Sequence, residues 1–364
     1  MLTKLKKDPV LFISGILAVV SCFVVPPDIQ YLDYINWRVL AILLALMLVV
    51  GALSDLGFFG HLTSGMLSVV KNQRQASLAL VLLSMVMSMF MTNDVTLVTL
   101  VPFALMTVGK FGDKKGLMFT LILMTCAANL GSMLTPIGNP QNLYLYTQYD
   151  MHLWSFVKLM LPYTLLSMVM LVAATFMLIG KGGSVSSSRT PSEPHKIRVL
   201  ICIFLFVVAL LSVIGMLHYL IMLGIIVIAM IILDRKAFLS VDYSLLITFV
   251  FFFILIGNLG RLDVVYNAMS AVVGKSPVIA SVLASQIISN VPAAMLLSAF
   301  TADGEALVIG TNLGGLGTLI ASMASLITYK IYIRDNKDSG RYIACFTVVN
   351  VVMLALLLGM YFVL

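Results

Sequence analysis

The chain has 364 residues, 61% of them hydrophobic and only 10% charged, with a formal net charge of +7. Soluble domains carry about a quarter charged residues, so this composition excludes a soluble globular protein, and the positive balance reads as cytoplasmic loops of a membrane protein, not a nucleic-acid surface. Four cysteines (Cys22, Cys126, Cys202, Cys345) lie scattered in apolar runs with no CxxC or Cys/His pairing, which argues against a disulfide framework or a zinc site.

In chain order, a basic start (Lys4, Lys6, Lys7) precedes the apolar run from Pro9 to Val25. Pro26-Pro27-Asp28 follows it in place of a small-residue cleavage site, so it reads as a retained first span. Runs of this length recur and predict about nine spans: 9–26, 36–56, 116–148, 153–180, 197–215, 219–233, 242–260, 305–329 and 342–364. Two further apolar regions, 75–109 and 275–303, are interrupted by the polar tips "TND" and "SNVP". The polar tract at 181–198 reads as a flexible linker. Asp55 ends a span and is expected at an interface, and His61, His152, His195 and His218 also fall near interfaces.

With the N-terminus placed inside, the loops at 71–74, 110–115, 181–198, 234–236 and 330–341 all fall inside. Of the 22 Lys and Arg, only Arg38, Lys158, Arg261 and Lys275 lie elsewhere. That balance holds whether each interrupted region enters and leaves on one side, as a hairpin, or crosses twice.

An internal repeat favours the hairpins. "NLGSMLTPIGNPQNL" (129–143) aligns without a gap on "NLGGLGTLIASMASL" (312–326), with identities at Asn129/Asn312, Leu130/Leu313, Gly131/Gly314, Thr135/Thr318, Ile137/Ile320 and Leu143/Leu326. "TND" and "SNV" occupy matching places upstream. The first repeat is 1–180, with hairpin 75–109 and broken helix 116–148. A linker loop and connecting span cover 181–218. The second repeat is 219–364, with hairpin 275–303 and broken helix 305–329. The first repeat begins and ends inside and the second begins and ends outside, so the halves are expected to be inverted. That is the build of secondary transporters.

The interruptions carry the chemistry. In "LTPIGNPQN", Pro136 and Pro140 each remove a backbone donor and Gly138 admits unusual backbone angles. The freed carbonyls, with Thr135, Asn139, Gln141 and Asn142, can bind a cation, and half-helix N-termini attract anions. Thr92, Asn93 and Asp94 are expected at the tip of the first hairpin facing 135–142, and Ser289, Asn290 and Pro292 at the second facing 318–325. For Asp94 three readings stand: a cation ligand, a proton carrier, or a helix N-cap.

At "MTNDVTL", "NLGSMLTPIGNPQNL", "SQIISNVPAAMLL" and "GTNLGGLGTLIAS" the chain resembles the ion transporter superfamily that includes citrate permeases, divalent anion/sodium symporters and arsenite pumps. The resemblance covers both repeats. It implies an all-α, elevator-type carrier in the plasma or inner membrane, usually a homodimer. It also implies a first ion site at Thr92, Asn93, Asp94, Gly138 and Asn139, and a second at Ser289, Asn290, Thr318 and Ala321. Asn93, Asn142, Asn290, Thr318 and Ser322 would lie nearest the substrate. Asp94 and Val291 stand where the dicarboxylate symporters have threonine, and "TLIASMASL" lacks the polarity of the first break. The expected function is secondary transport of a small anionic solute, a carboxylate or oxyanion, coupled to Na⁺ or H⁺ with no other cofactor. The alternatives are arsenite efflux or sodium/proton antiport through Asp94, and a passive channel. No catalytic pair, HExxH or GxxxxGK[ST] motif suggests an enzyme.

Overall fold

The computed structural model describes residues 9–67, 70–182, 195–335 and 338–363, and among these no strand forms. The first half of the chain contains α1 (Pro9–Val24), α2 (Trp37–Asp55), α3 (Phe58–Leu67), α4 (Gln73–Ser88), α5 (Asn93–Thr107), α6 (Lys114–Ser132), α7 (Pro140–Gln148) and α8 (Leu153–Leu178). A connecting helix, α9 (Lys196–Val213), leads to α10 (Tyr219–Leu233), α11 (Tyr243–Gly260), α12 (Asp263–Val273), α13 (Pro277–Ile288), α14 (Asn290–Ser298), α15 (Gly304–Leu313), α16 (Met323–Asp335) and α17 (Ser339–Val363). The N-terminal lysines and most of the expected linker lie outside the described residues.

Local sequence explains where helices start. The side chains of Asn36, Asn72, Asn139, Asp242 and Asp303 each accept a backbone N–H in the first turn of the helix that follows. Pro140 and Pro277 sit in the first turn, where the missing N–H costs nothing.

Large apolar side chains point outward, Phe23 at 82% exposure and Met177 at 83%. In water that surface would aggregate; in a bilayer it is the lipid face. Among the described residues, the buried polar side chains are Ser, Thr, Asn and Gln, set within an apolar core. Every residue of α6 from Gly116 to Ser132 is buried. Its polar groups are satisfied locally: Thr120 Oγ1 donates to Gly116 O at 2.7 Å and also meets Ser77 Oγ at 2.7 Å. A Cβ at Gly131 would lie 2.1 Å from Met85 O, so α4 approaches α6 backbone to side-chain-free backbone.

Among the described residues, seven helical stretches are long and apolar enough to cross a membrane: α2, 93–111, α6, α8, α9, α11 and α17. The expected spans at 9–26 and 219–233 form helices at Pro9–Val24 and Tyr219–Leu233, apolar but shorter than these, and 305–329, expected as a broken helix, forms two pieces, α15 and α16. The stretch 93–111, expected as one arm of a hairpin, is itself of spanning length. Two short helices, α3 and α12, were not expected; α12 bends 108° into α13.

Helix partners are exchanged between the two halves of the chain. α1 packs on α11 while α10 packs on α2; α14 packs on α7 while α5 packs on α16. Both hairpin tips and both helix breaks therefore meet in one central region.

Candidate functional site

The first hairpin breaks at 89–92 and the first broken helix at 133–139. Thr92 occupies the cap position of α5 without a side-chain cap bond, and Asp94 lies in the first turn. Asn93 Oδ1 accepts Asp94 N at 3.0 Å, so Asp94 is not the cap. Asn93 Nδ2 donates to Asn129 Oδ1 at 2.8 Å and approaches Ser322 Oγ at 3.5 Å. Thr135 Oγ1 donates to Met89 O, fastening the break to the tip. At Gly138 a Cβ would lie 2.1 Å from Ser132 O, so the two ends of the break touch only because glycine stands there.

The second hairpin turns in a single residue. Ser289 has φ 72° and ψ 157°, a backbone that non-glycine residues seldom adopt. It is held by Asn290 N donating to Ala321 O at 3.0 Å. Ser289 Oγ adds longer contacts, at 3.4 Å, to Ala321 O and Asn290 Oδ1. Thr318 Oγ1 donates to Gln286 O at 3.3 Å, the counterpart of the Thr135–Met89 bond.

Across the two breaks the polar side chains interlock. Asn139 Nδ2 donates to Asn312 Oδ1 at 3.2 Å, and Ser322 Oγ donates to Asn129 Oδ1 at 2.9 Å. These are corresponding pairs in the aligned segments, so each break reaches into the other half. Asn312 Nδ2 also donates to Asn142 Oδ1 at 2.6 Å, and Asn142 Nδ2 covers the carbonyls of Ser132 and Thr135 at 3.2 and 3.3 Å.

Beside this network lies a cavity of about 40 Å³, lined by Asn93, Asp94, Ser289, Asn290 and Ser322, together with Gln141 and Asp242. That volume holds a few waters or a small ion. Two buried groups in its wall lack a hydrogen-bond partner, the Asp94 Oδ1 acceptor and the Gln141 Nε2 donor. Among the described residues, none of the lining side chains is Lys, Arg or His. Two carboxylates, Asp94 and Asp242, thus stand in its wall.

Of the expected site residues, Asn93, Asp94, Ser289, Asn290 and Ser322 come together on this cavity. Thr92 lies at the tip but does not line it, and Gly138, Asn139, Ala321 and Asn142 form the supporting network behind. Thr318 is exposed and turned toward Gln286. Sequence reasoning did not assign Asn129, Asn312, Asp242 or Gln286 to the site. The two asparagines were visible as repeat identities, whereas Asp242 read as an ordinary helix start and Gln286 as one polar residue in an apolar run. Asp55 accepts Ser240 Oγ at 3.2 Å, away from the site.

Comparison with known proteins matches residues 1–304 to a family model described as citrate transporter. An uncharacterized transporter of Methanocaldococcus jannaschii is 31% identical over 355 residues, covering 96% of each chain. The inner membrane protein YbiR of Escherichia coli is 30% identical over 303 residues, covering 82% of this chain and 80% of its own. A silicon efflux transporter of Oryza sativa is 33% identical over 156 residues, covering 42% of this chain and 31% of its own.

Proposed function

Since the chain belongs to the citrate transporter family and is a multi-pass membrane transporter, we propose that it is a carrier, not an enzyme, that couples the movement of a small solute to one of Na⁺ or H⁺. The observation that carries this reading is Asp94 Oδ1, enclosed, without a hydrogen-bond partner and set in a cavity lined by residues 93–94 and 289–292, with no basic side chain among the described lining residues. An anion about 5 Å from a carboxylate, at an effective dielectric of about 20, is repelled by about 3 kcal/mol, roughly a hundredfold in affinity. A cation or proton on Asp94 removes that repulsion. Ion and anion binding are then linked by charge alone: the ion must arrive for the anion to stay.

A second reading has its own support. A solute that is uncharged and rich in hydroxyls satisfies the Gln141 donor and the Asp94 acceptor together, with no cancellation of charge. The silicon named for the rice relative, like arsenite, forms such undissociated hydroxy acids.

The exchanged helix partners and the crossed Asn139–Asn312 and Ser322–Asn129 bonds support two inverted halves with the tips as re-entrant loops, and the distribution of Lys and Arg supports an N-terminus inside. The tips, α6, α7, α15 and α16 would then move as one body against a frame of α1, α2, α10 and α11. This is the elevator motion, in a homodimer of the plasma or inner membrane, that the family resemblance implies. The deciding experiment is a thermal-shift screen of purified protein against carboxylates, oxyanions, arsenite and silicic acid, with and without Na⁺ at two pH values. Ion-dependent stabilisation by an anion supports the first reading. Ion-independent stabilisation by a neutral hydroxy acid supports the second. Flux in proteoliposomes that ignores every ion gradient and does not saturate with solute would make the protein a channel.

A further inference from the structure

Beyond the threonine bond that both share, Thr135 to Met89 O and Thr318 to Gln286 O, the two hairpins are tied to their broken helices by different means. In the second half the tie is Gln286, in the last turn of α13. Its Nε2 donates to Gly314 O at 2.9 Å and Leu316 O at 2.9 Å, and to Val282 O at 3.2 Å. Its Oε1 accepts Thr318 N at 2.9 Å, across a separation of 32 residues. The carbonyls of Gly314 and Leu316 belong to the unwound end of α15, where the helix dipole concentrates partial negative charge. Such freed carbonyls are what coordinate a coupling cation in carriers built from discontinuous helices. Here an amide group from the hairpin already occupies them.

Gly317 makes room for this arrangement. It has φ 111°, and a Cβ there would lie 2.3 Å from Gln286 Oε1. The first half has neither device. Met89 stands where Gln286 stands, Leu134 stands where Gly317 stands, and the break carbonyls of Ser132 and Thr135 are covered from within the same broken helix, by Asn142. The tips differ in charge as well. Asp94 presents an enclosed, unpartnered carboxylate oxygen, and Val291 stands at its counterpart.

We propose that the Gln286 amide is a built-in substitute for a coupling cation at the second hairpin, so that the carrier takes up one coupling ion per cycle, at Asp94, and not two. The ions would tie tip to break reversibly in the first half, while in the second half the tie is a side chain that never leaves. This rests on the carrier reading above, and its test is kept independent of flux. Purified full-length protein is followed by thermal unfolding, first across NaCl balanced with choline chloride at fixed pH, then across pH. Wild type is expected to respond to its ion with a slope of about one ion bound. Gln286→Glu replaces the amide by a carboxylate beside two carbonyls, which is a cation site, and is expected to gain one further Na⁺ in the same titration. If that variant does not accumulate, Gln286→Met, which copies the first half, is expected to lose stability that Na⁺ partly restores. A wild-type slope near two overturns the proposal. So does a Glu or Met variant whose Na⁺ response equals that of wild type. A wild type that transports nothing tested and ignores every ion, with a Glu variant that gains Na⁺, would sink the carrier reading and leave the assignment of Gln286 standing.

Discussion

Asn312 and Asn142, 170 residues apart, are joined by a hydrogen bond of 2.6 Å from Nδ2 to Oδ1, and through it the break in one half of the chain positions the break in the other. Asn312 also accepts from Asn139. Asn312→Ala therefore leaves the buried Asn142 Oδ1 acceptor without this donor and takes one of two partners from Asn139 Nδ2, which keeps Ser132 Oγ at 3.0 Å. The expected cost is about 1–3 kcal/mol of stability, read as a lowered unfolding temperature in detergent. An unchanged unfolding temperature would show that waters replace both partners.

Asp94→Asn is expected to leave the fold intact and abolish ion-coupled uptake. The cap position of α5 belongs to Thr92, and the side-chain bond to Asp94 N comes from Asn93, so no helix contact is lost. The neutral amide is also cheaper to enclose than a carboxylate. The check is flux in proteoliposomes under an imposed gradient, beside an unfolding curve. Coupling that survives the substitution moves the ion site elsewhere.

Gly138→Ala places a methyl 2.1 Å from Ser132 O, and both are backbone positions with nothing flexible to yield. Overpacking of this kind costs about 1–3 kcal/mol. The expected outcome is a destabilised protein with little uptake. Gly224→Ala, where a Cβ meets nothing within 4 Å, serves as the control and should match wild type.

Lys236 and Ala302 are both exposed, each next to the end of a helix. In whole cells a membrane-impermeant thiol reagent is expected to label Ala302→Cys directly and Lys236→Cys only after permeabilisation. The reverse pattern would turn the whole chain over in the membrane.

The first break was legible because Pro136, Gly138 and Pro140 forbid a regular helix between 133 and 139. The second has no proline and was legible only by alignment on the first; its turn is made instead at Gly317, with φ 111°. The asparagines across the breaks were visible as repeated letters, but pairing such as Asn139 with Asn312 is a fact of three dimensions. Gln286 lies in the segment "SQIISNVPAAMLL" and Asp242 begins the expected span 242–260, but nothing local gave either a role. One gains its meaning from carbonyls 28 and 30 residues away, the other from packing beside a hairpin tip far along the chain. The bounds of α1 and α10 were legible from their apolar runs, 9–26 and 219–233; that both are shorter than a full membrane span is a matter of length, which apolarity alone does not report.

The enclosure of α6 also bears on how the protein is made. It is the least apolar of the seven spanning stretches and has protein on every side, and Thr120, Thr125, Asn129 and Ser132 lie along it. Leaving the insertion machinery alone for lipid would be poorly favoured for such a segment. It must wait for neighbours synthesised after it, among them α8 and the helices of the second half. A chain cut short after the first break would accordingly be held at the translocon or handed to quality control, and never released as half a carrier.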